Sequence, residues 1–203
     1  RYAFDQQPQI GLFNLSCLAQ ALLPLLEIEA AKAALETYQA LFIEHYHQLM
    51  AQKLGFAQSD ETVVHLLDEL LAQMHASRTD YTLLFRALGA VARDSNESTP
   101  ALRDRFVDRE RFDRWLDGYR AHLRASARDD AARRPAMLAT NPKVVLRNYL
   151  AQVVIEKAEL GDFSGIEPLL AVLRAPFDEH PQQAHYAEPA PAWADNIQVS
   201  CSS

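Results

Sequence analysis

The sequence predicts an all-α protein with an irregular, proline-rich tail. Apolar residues recur at three- and four-residue intervals along most of the chain, and no stretch alternates apolar and polar residues long enough to make a strand. Pro24 and Gly55 fall where periodic segments stop, as helix breakers do. With 203 residues, 49% of them hydrophobic, the chain can bury a real core, and it reads as one domain or large lobe with a single core.

Leu12, Leu15, Ala19 and Leu22 make the first helical stripe, closed by Pro24. The longest helix is expected from about 27 to 53. Ile28, Leu35, Phe42 and Leu49 form one of its rows and Ala31, Tyr38 and His45 the next, an apolar face that needs a partner surface. Beyond Gly55, Ser59 or Asp60 can cap a helix carrying Val63, Leu66, Leu67, Leu70, Leu71 and Met74. Tyr81, Leu84, Phe85 and Leu88 mark a further helix, and the polar run from Arg93 to Pro100 reads as a loop.

Phe112, Trp115, Leu116, Tyr119 and Leu123 give an aromatic-rich helical face, followed by a charged connector from Ala125 to Arg134. Asn141 and Pro142 fit an N-cap and first helical position leading into Leu146, Leu150 and Val153. Ser164 with Glu167 three residues on has the form of a capping box for a last short helix. After Pro176 the chain reads as loop and tail. The opening at Arg1, without a Met and already inside a structured-looking motif, carries the expectation of a piece of something larger.

The formal net charge of −7 argues against a generally cationic surface for nucleic acid or anionic lipid. No apolar run approaches the ~20 residues of a membrane span, and no signal peptide begins the chain, so a soluble intracellular protein is expected. Cys17 and Cys201 are too few for a disulfide framework and lack zinc-site spacing. No clustered glycines could cradle a phosphate. His45 and His47 point to different sides of a helix, and His45 reads as a core or interface residue. Ten arginines lie between Ala101 and Arg134, interleaved with acids, which favours a solvated helix with ion pairs over a nucleic-acid stripe.

Cys201 stands three residues from the C-terminus, where packing gives a thiol little reason to be. It is read either as a group kept for its chemistry or as an unreactive tail residue. Cys17 falls opposite its helix's apolar stripe and is expected on the surface. Arg1, Asp5 and Gln7 form a polar cluster ahead of Pro8, either a hydrogen-bonded turn or contacts to a partner. Arg147 and Asn148 read as solvated helix surface or as a polar lock on the tail, and Trp115 and Trp193 as packing anchors.

Five stretches go beyond periodicity: Arg1-Tyr2-Ala3-Phe4-Asp5-Gln6-Gln7-Pro8, Asp80-Tyr81-Thr82 with Phe85-Arg86, Asn141-Pro142-Lys143 through Leu150, Ala175-Pro176-Phe177-Asp178-Glu179, and Ser200-Cys201-Ser202-Ser203. In this order the chain resembles the selenoprotein O family of pseudokinase-fold protein adenylyltransferases. The resemblance implies an enzyme that moves AMP from ATP to Ser, Thr or Tyr hydroxyls of proteins, using Mg2+ or Mn2+ and a kinase-like fold.

By this resemblance residues 1–10 end an activation-segment-like stretch, 11–180 form the helical C-terminal part of a kinase-like C-lobe, and 181–203 are the tail. The family's nucleotide-gripping, base-like and metal-holding residues lie upstream of Arg1, so no catalytic, cofactor or metal residue is assigned to this chain, which alone is expected to be inactive. Its partners would be substrate proteins and the N-terminal lobe of the same protein. Without that lobe, apolar area between Leu12 and Leu26 and between Tyr38 and Leu49 should be exposed, leading to self-association. Cys201 stands where many members carry selenocysteine, which implies a redox role with a cysteine ahead of Arg1 as partner and a cytoplasmic, bacterial-type protein. Arg1, Asp5 and Gln7 would touch substrate or catalytic loop. The competing reading is a non-catalytic helical interaction module.

Overall fold

A computed structural model of the chain describes residues 6–95, 99–126 and 128–197. Among the described residues there is no strand, and the fold is all-α. The chain divides into two compact units, Arg1–Met50 and Ala51–Ser203, rather than around one core.

The first unit consists of α1 (Gln7–Leu22) and most of α2 (Ile28–Lys53). Pro8 lies in the first turn of α1, where a missing N–H costs nothing. The Tyr38 hydroxyl donates to Pro8 O at 3.1 Å, tying the start of α1 to α2. A Cβ on Gly11 would stand 2.6 Å from the same hydroxyl, so a larger residue there would displace the Tyr38 ring and its bond to Pro8 O. Although α1 carries four Leu and Phe13, none of its residues is buried.

The second unit holds the main core. Its helices are α3 (Glu61–Ser77), α4 (Tyr81–Leu88), α5 (Pro100–Arg103), α6 (Arg109–Ala125), α7 (Asp130–Thr140), α8 (Asn148–Glu159) and α9 (Ile166–Arg174), followed by 3-10 turns at Pro181–Ala187 and Ala192–Asn196. Asp60, Asp80, Asp108 and Asp129 accept from backbone N–H groups at the starts of α3, α4, α6 and α7, satisfying donors those turns leave free.

The core is aromatic along α6. Phe106 and Phe112 stack at 4.3 Å and Trp115 and Tyr119 at 5.1 Å, with Phe56 edge-on to Tyr119 at 5.8 Å. The polar ends of these rings are satisfied: Trp115 Nε1 donates to Leu66 O at 2.8 Å and the Tyr119 hydroxyl to Leu54 O at 2.7 Å. Gly55, with φ +91°, closes α2 in the left-handed region; a Cβ there would meet Met137 Sδ at 2.7 Å and Arg133 Cδ at 3.0 Å.

Four local expectations are corrected. The stretch from Ala125 to Arg134 is not all connector, because Asp129 caps α7, which starts at Asp130 and buries Arg133 and Met137. Asn141 ends α7 instead of starting a helix: its N–H bonds Met137 O, while Lys143 N–H and Val144 N–H both turn to Pro176 O, and α8 begins only at Asn148. The capping box at Ser164 is absent. Ser164 N–H bonds the Asp162 carboxylate at 3.0 Å, and α9 begins behind Gly165 without a side-chain cap. Within the expected loop after Arg93, Pro100 starts the short α5.

Candidate functional site

Within the second unit, three motifs far apart in sequence converge. Arg86, near the end of α4, donates from Nη1 to Leu138 O and Asn141 O, both at 2.7 Å, and from Nη2 to Phe177 O at 3.0 Å and the Glu179 carboxylate at 2.6 Å. Lys143 meets the other Glu179 oxygen. Asp80, at the start of α4, pairs with both terminal nitrogens of Arg147, one at 3.1 Å. Asn141 is held by Lys53 through Nζ to Oδ1 at 3.1 Å and Nδ2 to Lys53 O at 2.8 Å. The Lys53 ammonium stands 5.4 Å from the Tyr81 and Phe85 ring centres, and its burial lowers its pKa.

Chemically this is a brace. Arg86, Lys143 and Arg147 are each engaged by carboxylates, and Arg86 also by backbone carbonyls that close the α7 C-terminus and the turn after α9. Bidentate guanidinium contacts of this kind fix geometry as well as contribute energy. Arg147 is therefore a structural ion-pair partner of α4, neither solvated surface nor a lock on the tail.

Burial alone would raise the Asp80 pKa, but the Arg147 guanidinium and the Leu83 N–H overcome it and hold the carboxyl below its ordinary value. A carboxyl whose folded pKa is depressed contributes stability above its unfolded pKa of about 4 and loses it as pH falls through the folded value. Asp80→Asn should accordingly lower the urea midpoint at neutral pH, and the gap to the parent should narrow in acid. A gap of unchanged size at low pH would show that the pair contributes nothing through its charge.

A second feature belongs to the first unit. Between α1 and α2 runs a cleft of about 460 Å³ lined almost wholly by apolar side chains, including Leu15, Leu18, Leu22, Leu41 and Phe42. Leu18 is 55% exposed and Phe13 60%. His45 stands at the same cleft, exposed, with Nδ1 2.8 Å from Leu41 O, and is not a core residue. Cys17 is exposed on α1, off the local core as expected.

Arg1, Asp5 and Cys201 lie outside the described residues. Gln7 is exposed as the first residue of α1. Among the described residues no three His, Cys, Asp or Glu side chains converge to hold a metal ion. No described helix is long and apolar enough to cross a membrane.

The family model for protein adenylyltransferase SelO matches residues 1–174, and the chain belongs to that family. It is 50% identical over 209 residues to protein nucleotidyltransferase YdiU of Thioalkalivibrio sulfidiphilus, covering 100% of this chain and 42% of that protein. It is 47% identical over 203 residues to the protein of the same name from Myxococcus xanthus, again 42% of its length, and 43% identical over 217 residues to that of Cupriavidus metallidurans, 40% of its length. The chain thus spans about two-fifths of the length of the curated relatives it matches.

Proposed function

We propose that this chain is the C-terminal portion of a protein adenylyltransferase that transfers AMP from ATP to Ser, Thr or Tyr hydroxyls of other proteins. The helices from 11 to 180 would serve as the helical C-terminal part of a kinase-like C-lobe, with ATP and Mg2+ or Mn2+ held by groups outside this chain. Arg1, Asp5 and Gln7 would contact the protein substrate or the catalytic loop, and Cys201 would be the redox-responsive group of the tail.

The observation that carries this reading is the α1–α2 cleft. A helix of 16 residues with no buried residue gains little from its own packing, since most helical stability in proteins comes from burying one face. The exposed leucines suit coverage by the rest of a longer polypeptide, as the partial span of the relatives suggests. The cations of the motif cluster are all engaged, which supports assigning phosphate handling elsewhere.

The same cleft would also suit a non-catalytic interaction module, and a nucleotide titration separates the two. ATP with Mg2+ should leave the melting temperature of this chain unchanged, raise that of the longer polypeptide, and support AMP transfer to protein hydroxyls only in the latter. AMP transfer by this chain alone would refute the placement of the active site. Absence of transfer from both would favour the interaction module.

A further inference from the structure

The second unit has a further cavity, of about 430 Å³, between α8 and the two 3-10 turns of the C-terminal segment. Its volume lies in the range of small-molecule sites, which are mostly apolar with a few placed polar groups. Leu150, Val153 and Val154 of α8 supply an apolar wall. Tyr149, Tyr186 and Trp193 supply rings, with Trp193 edge-on to Tyr149 at 6.0 Å. The site is built rather than incidental: Tyr149 and Leu150 belong to a small core with Leu169, against which Tyr186, Ala194 and Ile197 pack.

Two groups of opposite charge, Lys157 and Glu188, line this cavity without forming an ion pair with each other. Lys157 lies on α8 and Glu188 at the end of the first 3-10 turn, so each is anchored by a different wall. Burial raises the Tyr149 phenol above its ordinary pKa, and the Glu188 charge adds to that against the opposing Arg147.

We propose that this cavity binds a small zwitterion of the α-amino-acid class with an apolar side chain. The ammonium would meet Glu188 and the electron-rich faces of Trp193 and Tyr186, which attract cations. The carboxylate would meet Lys157, and the side chain would lie on Val153 and Val154. Each charge of the ligand then finds its complement, and the apolar part leaves water. A simple amine would leave Lys157 opposed only by the nearby Asp162 charge, and a simple carboxylate would leave Glu188 without a cation. The site is independent of the proposed adenylyltransferase activity.

Trp193 offers the readout, being 47% exposed, whereas the other tryptophan, Trp115, is 2% exposed. L-leucine titrated into the 203-residue chain should change the tryptophan emission saturably, with a Kd at or below about 1 mM. Calorimetry on the same samples keeps the test decisive if emission is silent. 3-Methylbutylamine and 4-methylpentanoate, which each lack one charge, should bind at least about tenfold more weakly, as should Glu188→Gln and Lys157→Met with L-leucine. Both substitutions are at exposed positions, and circular dichroism checks that they leave the helices intact. No saturable signal from L-leucine by either method would overturn the proposal. Equal binding of the singly charged analogues, or undiminished binding by the two variants, would do the same.

Discussion

Replacing Arg133 by methionine is expected to cost about 1–3 kcal/mol of stability, the loss associated with leaving a buried acceptor without its donor. The side chain is 1% exposed. Its guanidinium donates to the Asp130 carboxylate from Nε at 3.0 Å and Nη2 at 2.8 Å, to Val91 O, to the Tyr119 hydroxyl at 3.4 Å and to Met137 Sδ at 3.0 Å. Methionine fills part of the volume but leaves Val91 O without its donor and the partly exposed Asp130 carboxylate with the Arg93 N–H alone. Urea denaturation followed by circular dichroism measures the loss. A cost below about 1 kcal/mol, the value typical of an exposed ion pair, would mean that Arg133 is not the keystone its contacts make it.

Leu18→Asp is expected to act with opposite sign in two contexts. In this chain Leu18 is 55% exposed, so aspartate costs little and should shift the molecule toward monomer in sedimentation by breaking up the apolar face. In the longer polypeptide the same substitution would bury an unpaired carboxylate, which costs several kcal/mol, and AMP transfer should fall more than tenfold. Full activity of the longer variant would show that the face is open to solvent there as well.

Much of the scaffold was legible because burial imposes a period. The stripes at Val63–Met74, Tyr81–Leu88 and Phe112–Leu123 are, apart from the half-buried Leu71 and the exposed Tyr81, the buried faces of α3, α4 and α6, and Asp60 caps α3 as expected. Segments whose local chemistry admits two solutions were misread. Asn141 before Pro142 has the form of a helix start, yet tertiary bonds from Lys53 and Arg86 make it a helix end. Arg133 lies among ten arginines with nothing in charge pattern to single it out, and Pro135 inside α7 breaks the signal that would have announced that helix.

The convergence of Asp80, Arg86, Asn141, Lys143, Arg147 and Glu179 could not be read from spacing, because up to 93 residues separate the partners. What the sequence did carry was their grouping into motifs: every member of the brace except Lys53 lies in one of the stretches that support the family resemblance. Of the residues expected to touch substrate, Arg1 and Asp5 lie outside the described residues and Gln7 is an exposed helix start. The cavity at Tyr149, Lys157 and Glu188 had no local signal at all, since its walls come from α8 and from a tail read as irregular.

Amide hydrogen exchange along α1 tests the account's central claim most directly, that the apolar face of the first unit is made to be covered by the remainder of a longer polypeptide. In the 203-residue chain at a concentration where it is monomeric, α1 amides should exchange fast, because no residue of that helix is buried. In the longer polypeptide the same amides should be among the slowest to exchange. Equally fast exchange along α1 in both forms would contradict the account.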